Sequence, residues 1–145
     1  MNRPMQLAAL ALAATAFATA LAAYRLGHQE PATCRKGASS MARLELLFGL
    51  SRKGAAEVSE PEWQSFLEAE VTPRFPDGLT VLSGYGQWRG DKGVIARETS
   101  KVLVIWYKPD VAAEAKIEAV RNAYKTRFGQ ESVMRVDGAS CVSFQ

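Results

Sequence analysis

Alternating and helical spacings of apolar residues divide this chain into six elements. Leu44, Leu46, Phe48 and Leu50 alternate with Arg43 and Glu45, the pattern of a strand buried on one face. Residues 51–58, with Gly54, read as a loop. Ser59-Glu60-Pro61-Glu62 then opens a helix. Ser59 is placed to cap it, Pro61 fits only a first turn, and Glu62 completes a capping box. Trp63, Phe66, Leu67 and Val71 follow at helical spacing, and Pro73 stops the run. Asp77-Gly78 marks a turn.

Leu79 to Arg89 reads as a second strand, in which Gly84 and Gly86 predict a bulge or a close backbone approach. Gly90-Asp91-Lys92-Gly93 is a hairpin turn signal. Val94 to Tyr107 is a third strand, and its apolar end from Val102 to Tyr107 places it centrally in the sheet. A second helix starts at Pro109-Asp110, with Asp110 as cap. It buries Ile117, Val120, Tyr124 and Phe128 and stops at Gly129. Glu131 to Phe144 is the last strand.

The resulting β-α-β-β-α-β order predicts an α+β, ferredoxin-like domain: a four-stranded antiparallel sheet with two helices on one face. In that topology the first and last strands lie side by side. Cys34 precedes the first and Cys141 sits near the end of the last, so the fold predicts a Cys34–Cys141 disulfide. Closing a loop of about a hundred residues contributes about 4–5 kcal/mol on the loop-entropy account.

The N-terminus changes the setting of this domain. Arg3 precedes an uncharged, Ala- and Leu-rich run from Leu7 to Ala23 that ends in small-residue patterns. Residues 1–23 therefore read as a secretory signal, or as an N-terminal membrane anchor if uncleaved. Residues 24–42 read as a linker and 43–145 as a single domain. The expected location is the periplasm or outside the cell, and a cysteine pair suits it. Pro31-Ala32-Thr33 does not make Cys34 a lipobox cysteine.

Composition excludes more than it assigns. The net charge is +3, and without Arg3 it falls to 17 basic against 15 acidic side chains. Bases are interleaved with acids, so no nucleic-acid surface is expected. The one histidine, His28, lies in the linker. Nucleophile–base, phosphate-loop and metal-ligand motifs are missing from the sequence, so no cofactor and no metal are expected.

Candidate chemistry falls on the sheet face turned away from the helices. Period-two reading places Glu45, Glu131, Arg135 and Arg89 there, with Tyr85 beside them and Glu98 or Lys101 joining from the central strand. Two phases of the second and third strands remain open: Ser83, Tyr85, Gln87 and Arg89 or the set with Trp88, and Glu98 with Ser100 or Arg97 with Lys101. A small anionic or zwitterionic ligand would suit these bases. Cross-strand ion pairs on a solvated face are the structural alternative.

The blocks Glu45 to Ser51, Val71 to Val81, Gly86 to Arg89, Arg97 to Leu103 and Phe128 to Val133 resemble the bacterial exported domain-of-unknown-function family DUF3574. The resemblance spans Arg43 to Phe144. It implies an exported bacterial domain and no particular activity.

Two functional readings follow. One is an exported binding or interaction domain, homodimeric through its open sheet face. The other is a cofactor-free enzyme of the dimeric α/β-barrel type, acting on a small anionic molecule in a cavity between paired sheets.

Overall fold

The computed structural model describes residues 33–89 and 93–144. The signal reading of residues 1–23, residues 24–32 of the linker and the tip of the hairpin at Gly90-Asp91-Lys92 lie outside them. Strand β1 (Ser39–Gly49) turns Leu44, Leu46 and Phe48 inward, each with no exposed surface. It begins four residues before the expected boundary at Arg43, because Ser39 to Ala42 pair with Val142 to Ala139. Residues 39–42 thus belong to the sheet and not to a linker.

Helix α1 (Glu60–Phe66) runs on into one wider π-type turn at Leu67–Val71, where the Thr72 amide donates to the Leu67 carbonyl at 2.9 Å. Its start follows the capping-box expectation. The Ser59 amide and hydroxyl donate to Glu62 Oε2 at 2.8 and 2.7 Å. These hydrogen bonds and the Arg52 guanidinium hold the Glu62 carboxyl down at about 2.

Strands β2 (Thr80–Arg89) and β3 (Ile95–Tyr107) follow, then helix α2 (Ala113–Phe128) and strand β4 (Met134–Val142). Asp110 sits a turn ahead of α2: its carboxylate accepts from the Ala112 amide at 2.8 Å, and the helix proper starts at Ala113. Gly129 ends α2 in the left-handed conformation, φ 67°, where a side chain would be strained.

The sheet order is β2-β3-β1-β4 with every neighbouring pair antiparallel. This is the predicted ferredoxin-like arrangement. Both helices lie on one face, and the core forms between them and the two central strands. Phe48 sits at its centre, with ring centroids 5.2 Å from Trp63, 5.9 Å from Phe66 and 4.6 Å from Tyr124. Such edge-on aromatic contacts add stabilisation beyond the area they bury. At the far end of the β1–β4 ladder, Cys34 and Cys141 form the expected disulfide, with Cα atoms 5.4 Å apart.

Candidate functional site

The phase of β1 decides which side chains reach the open face. Leu44, Leu46 and Phe48 point to the helices, so Arg43, Glu45, Leu47 and Gly49 point away. Register carries this phase across the sheet. Leu82, Val102, Leu47 and Met134 pair in sequence and form one apolar row over all four strands. Thr80, Val104, Glu45 and Val136 form the next row. On the other side of the apolar row lie Gly84, Ser100 and Gly49, and beyond them Gly86 beside Glu98 and Trp88 beside Ala96.

The row of small residues makes a trough. A Cβ on Gly84 would stand 2.8 Å from Ser100 Oγ, and one on Gly49 would stand 2.7 Å from both Glu98 carboxylate oxygens. The Glu98 carboxylate therefore lies over the Gly49 backbone, a position that any larger residue there would contest. From the helix side, the Tyr124 hydroxyl donates to the Gly49 carbonyl at 2.9 Å. Burial, with Glu98 as the next cause, pushes the Tyr124 hydroxyl well above the ordinary tyrosine range. The trough widens into a cleft of about 640 Å³, walled by Leu47 and Met134 on one side and by Glu98 and Trp88 on the other. A second, wider cleft of about 1200 Å³ lies at the disulfide end, around Met41, Trp106, Val142 and Phe144.

The seven residues expected on the open face separate into three groups. Glu45 and Glu98 are there. Glu45 is tied to Arg43 at 2.7 Å, and the Arg43 guanidinium lies 5.9 Å from the centre of the Trp106 ring. Glu131 stands in the α2–β4 turn, at the rim of the cleft, paired with Lys53 at 2.6 Å. The other four are on the helix side. Lys101 pairs with Glu60 of α1 at 2.8 Å and donates to Ser83 Oγ at 3.2 Å. Arg135 is opposite the buried Leu46 and reaches Glu114 at 2.7 Å and Asp137 at 2.9 Å. These acids hold its guanidinium even more firmly protonated than usual. Tyr85, opposite Thr99, and Arg89 share the phase of Ser83, beyond the cover of the helices, and Tyr85 is 70% exposed.

Two corrections follow. The second and third strands take the alternatives with Trp88 and with Glu98 and Ser100. The last strand has the opposite phase to the expected one: Val133 is buried, Arg135 faces α2, and Met134 and Val136 are 59% and 44% exposed on the open face. The turn before β4 shifts the strand start from Glu131 to Met134. The acidic flank of α2, Glu114 and Glu118, gives Arg135 its partners there. The open face is consequently more apolar than expected. Leu82, Trp88, Trp106 and Met134 are the residues that sequence reasoning passed over, although Trp88 stood in one of its two alternatives.

Among the described residues no group of three potential ligands could hold a metal ion, and no helix is long and apolar enough to cross a membrane.

Comparison with solved structures finds the same fold in a phage SAM lyase. Its complex with S-methyl-5′-thioadenosine superposes with a TM-score of 0.55 at 12% identity, covering 79% of this chain and 96% of that one. Its apo state gives 0.50 at 14% identity, covering 82% and 98%. CutA from Synechococcus elongatus, complexed with Bis-Tris, gives 0.46 at 18% identity, covering 72% and 88%. At such identities the likeness is one of fold alone. No curated protein matches the chain. Residues 43–144 match the family described as Protein of unknown function (DUF3574), and the chain belongs to that family.

Proposed function

We propose that this protein is an exported binding domain that works through its open sheet face, and that a second copy of the chain covers the apolar part of that face. The disulfide supports an oxidising compartment, and the apolar N-terminal run supports export through a signal.

The observation that carries the reading is the uncovered apolar area. Leu82, Trp88, Trp106, Met134 and Val136 are 54, 49, 37, 59 and 44% exposed on one face. Together they expose on the order of 500 Å² spread along the face, from Trp88 opposite Ala96 to Trp106 opposite Arg43, a sum comparable with the largest apolar patch on a typical monomer. That is most of the roughly 800 Å² that each partner gives to a standard interface. Opposed sheets would bury it as the two sheets of a sandwich do. The enzyme alternative draws on the same pairing, with Glu98 as the carboxylate that would serve as base.

The test is native, non-reducing mass spectrometry on protein recovered from the compartment to which it is exported. The expected spectrum shows a mature chain lacking its N-terminal run, two hydrogens lighter for the disulfide, and dimeric. Leu82→Glu is expected to give a folded monomer. A wild-type chain that stays monomeric at tens of micromolar removes the paired-sheet reading, and a cytoplasmic, full-length chain removes export.

A further inference from the structure

On the open face, Arg43 and Glu45 neutralise one another, while the Glu98 carboxylate makes no hydrogen bond or ion pair among the described residues. Lys101 and Arg135, cations expected near it, are engaged on the helix side, and Lys53, which lines the cleft, is paired with Glu131 at 2.6 Å. The carboxylate is held at a defined place over Gly49, at the edge of a trough floored by Gly84, Ser100 and Gly49.

We propose that this trough binds a small organic ammonium ion, with Glu98 as its counter-charge and Trp88 as its aromatic wall. Trp88 and Glu98 are diagonal neighbours on one face of the β2–β3 pair, since Gly86 is opposite Glu98 and Trp88 is opposite Ala96. That diagonal spans about 7–8 Å between backbones, within reach of an indole. A cation between them meets the electron-rich ring face on one side and a carboxylate on the other. Leu47 and Met134, across the trough, offer an apolar wall to the ligand's carbon body. The cleft of about 640 Å³ is in the ordinary range for a small-molecule site. The second carboxylate of the cleft, Glu131 at its rim, is taken by Lys53, and Glu98 beside an indole does not suit a divalent metal, which needs several oxygen ligands. An organic cation, only weakly hydrated and partly apolar, fits both walls.

The glycines explain why the site is open. A side chain at Gly49 would collide with the Glu98 oxygens, and one at Gly84 with the Ser100 hydroxyl. The one at Gly49 would lift the floor where the ammonium head rests. The site is built from one protomer's residues and does not depend on the paired sheets.

The probes are choline, its uncharged isostere dimethylbutanol, and hexanoate as an anion of similar size. They are titrated into the disulfide-bonded protein and followed by heteronuclear NMR. The expected result is saturable choline binding, with shifts centred on the Trp88 indole and the Gly49, Gly86 and Glu98 amides. The isostere should bind about tenfold more weakly, and Glu98→Gln and Trp88→Leu should each weaken choline by about tenfold. Glu68→Gln, exposed in the π-type turn after α1, should match the wild type. Choline shifts that do not saturate, an isostere that binds as tightly, or a preference for hexanoate each overturn the proposal. Light scattering on the same samples keeps the two readings apart. Choline binding by a monomer upholds the site and removes the paired sheets, and a dimer without choline binding does the reverse.

Discussion

Removing the disulfide tests how much of this domain's stability comes from chain connectivity. Cys34 and Cys141 are 107 residues apart in sequence. In the native structure they are already held near one another by the β1–β4 ladder, whose register runs from Ser39 opposite Val142 to Leu47 opposite Met134. The bond therefore acts mainly on the unfolded chain, where it removes the freedom of nearly the whole domain. For a loop of that length the entropy account gives about 4.8 kcal/mol at 25 °C. Against a typical total of about 5–15 kcal/mol, that is a third or more of the stability. Cys34→Ser/Cys141→Ser should keep its far-ultraviolet spectrum at 25 °C and lose roughly 20 °C in Tm for a domain of this size. Urea denaturation supplies the free energy, and the slope should also rise, because an uncrosslinked unfolded chain exposes more surface. A loss below about 1 kcal/mol, with an unchanged slope, would refute the reasoning. It would mean that the reduced unfolded state keeps the chain ends together by other contacts.

Three further outcomes follow from the core and the helix start. Phe48→Ala empties the centre of the aromatic cluster, where the Tyr124 ring stands 4.6 Å away, and should cost about 3–5 kcal/mol in urea denaturation; a cost under about 1 kcal/mol would mean that the cluster does not pack as described. Tyr124→Phe removes the hydroxyl that donates to the Gly49 carbonyl at 2.9 Å and should cost about 1–2 kcal/mol, with amide shifts at Gly49 and Leu50; an unchanged midpoint would show that water replaces the bond. The Glu62 carboxyl is held at about 2, below its ordinary 4.5, first by the Ser59 hydroxyl, then by the Ser59 amide and Arg52. A depressed folded pKa contributes stability above the unfolded pKa and loses it as the pH falls through the folded one. The urea midpoint should therefore fall between pH 4.5 and 2 more steeply in the wild type than in Glu62→Gln, and parallel curves would contradict the capping geometry.

What could be read from the sequence depended on how fully each element is buried. β1 and α2 declare themselves, because each has one face wholly in the core. Leu44, Leu46 and Phe48, like Ile117, Val120 and Tyr124, have no exposed surface, so their spacing carries the signal without interference. The disulfide was legible for a related reason: the order of elements alone places the ends of β1 and β4 together. β2 was ambiguous because Val81 and Leu82 put apolar groups on both faces, and only pairing with β3 shows that Leu82 continues the open-face row.

β4 shows where the rule that apolar residues face the helices fails. At a sheet edge the helix layer presents its flank, and the flank of α2 above β4 carries Glu114 and Glu118. Arg135 gains more by meeting them, at 2.7 and 3.4 Å, than by facing solvent across the sheet. Met134 and Val136, one residue out of phase, are turned to the open face and extend the row begun by Leu82, Val102 and Leu47. The same shift that hid a cation from the expected site made that face apolar and left Glu98 without an ion pair among the described residues. The phase of one edge strand thus decides both which surface is apolar and which charged side chains reach it, and neither property can be read from β4 alone.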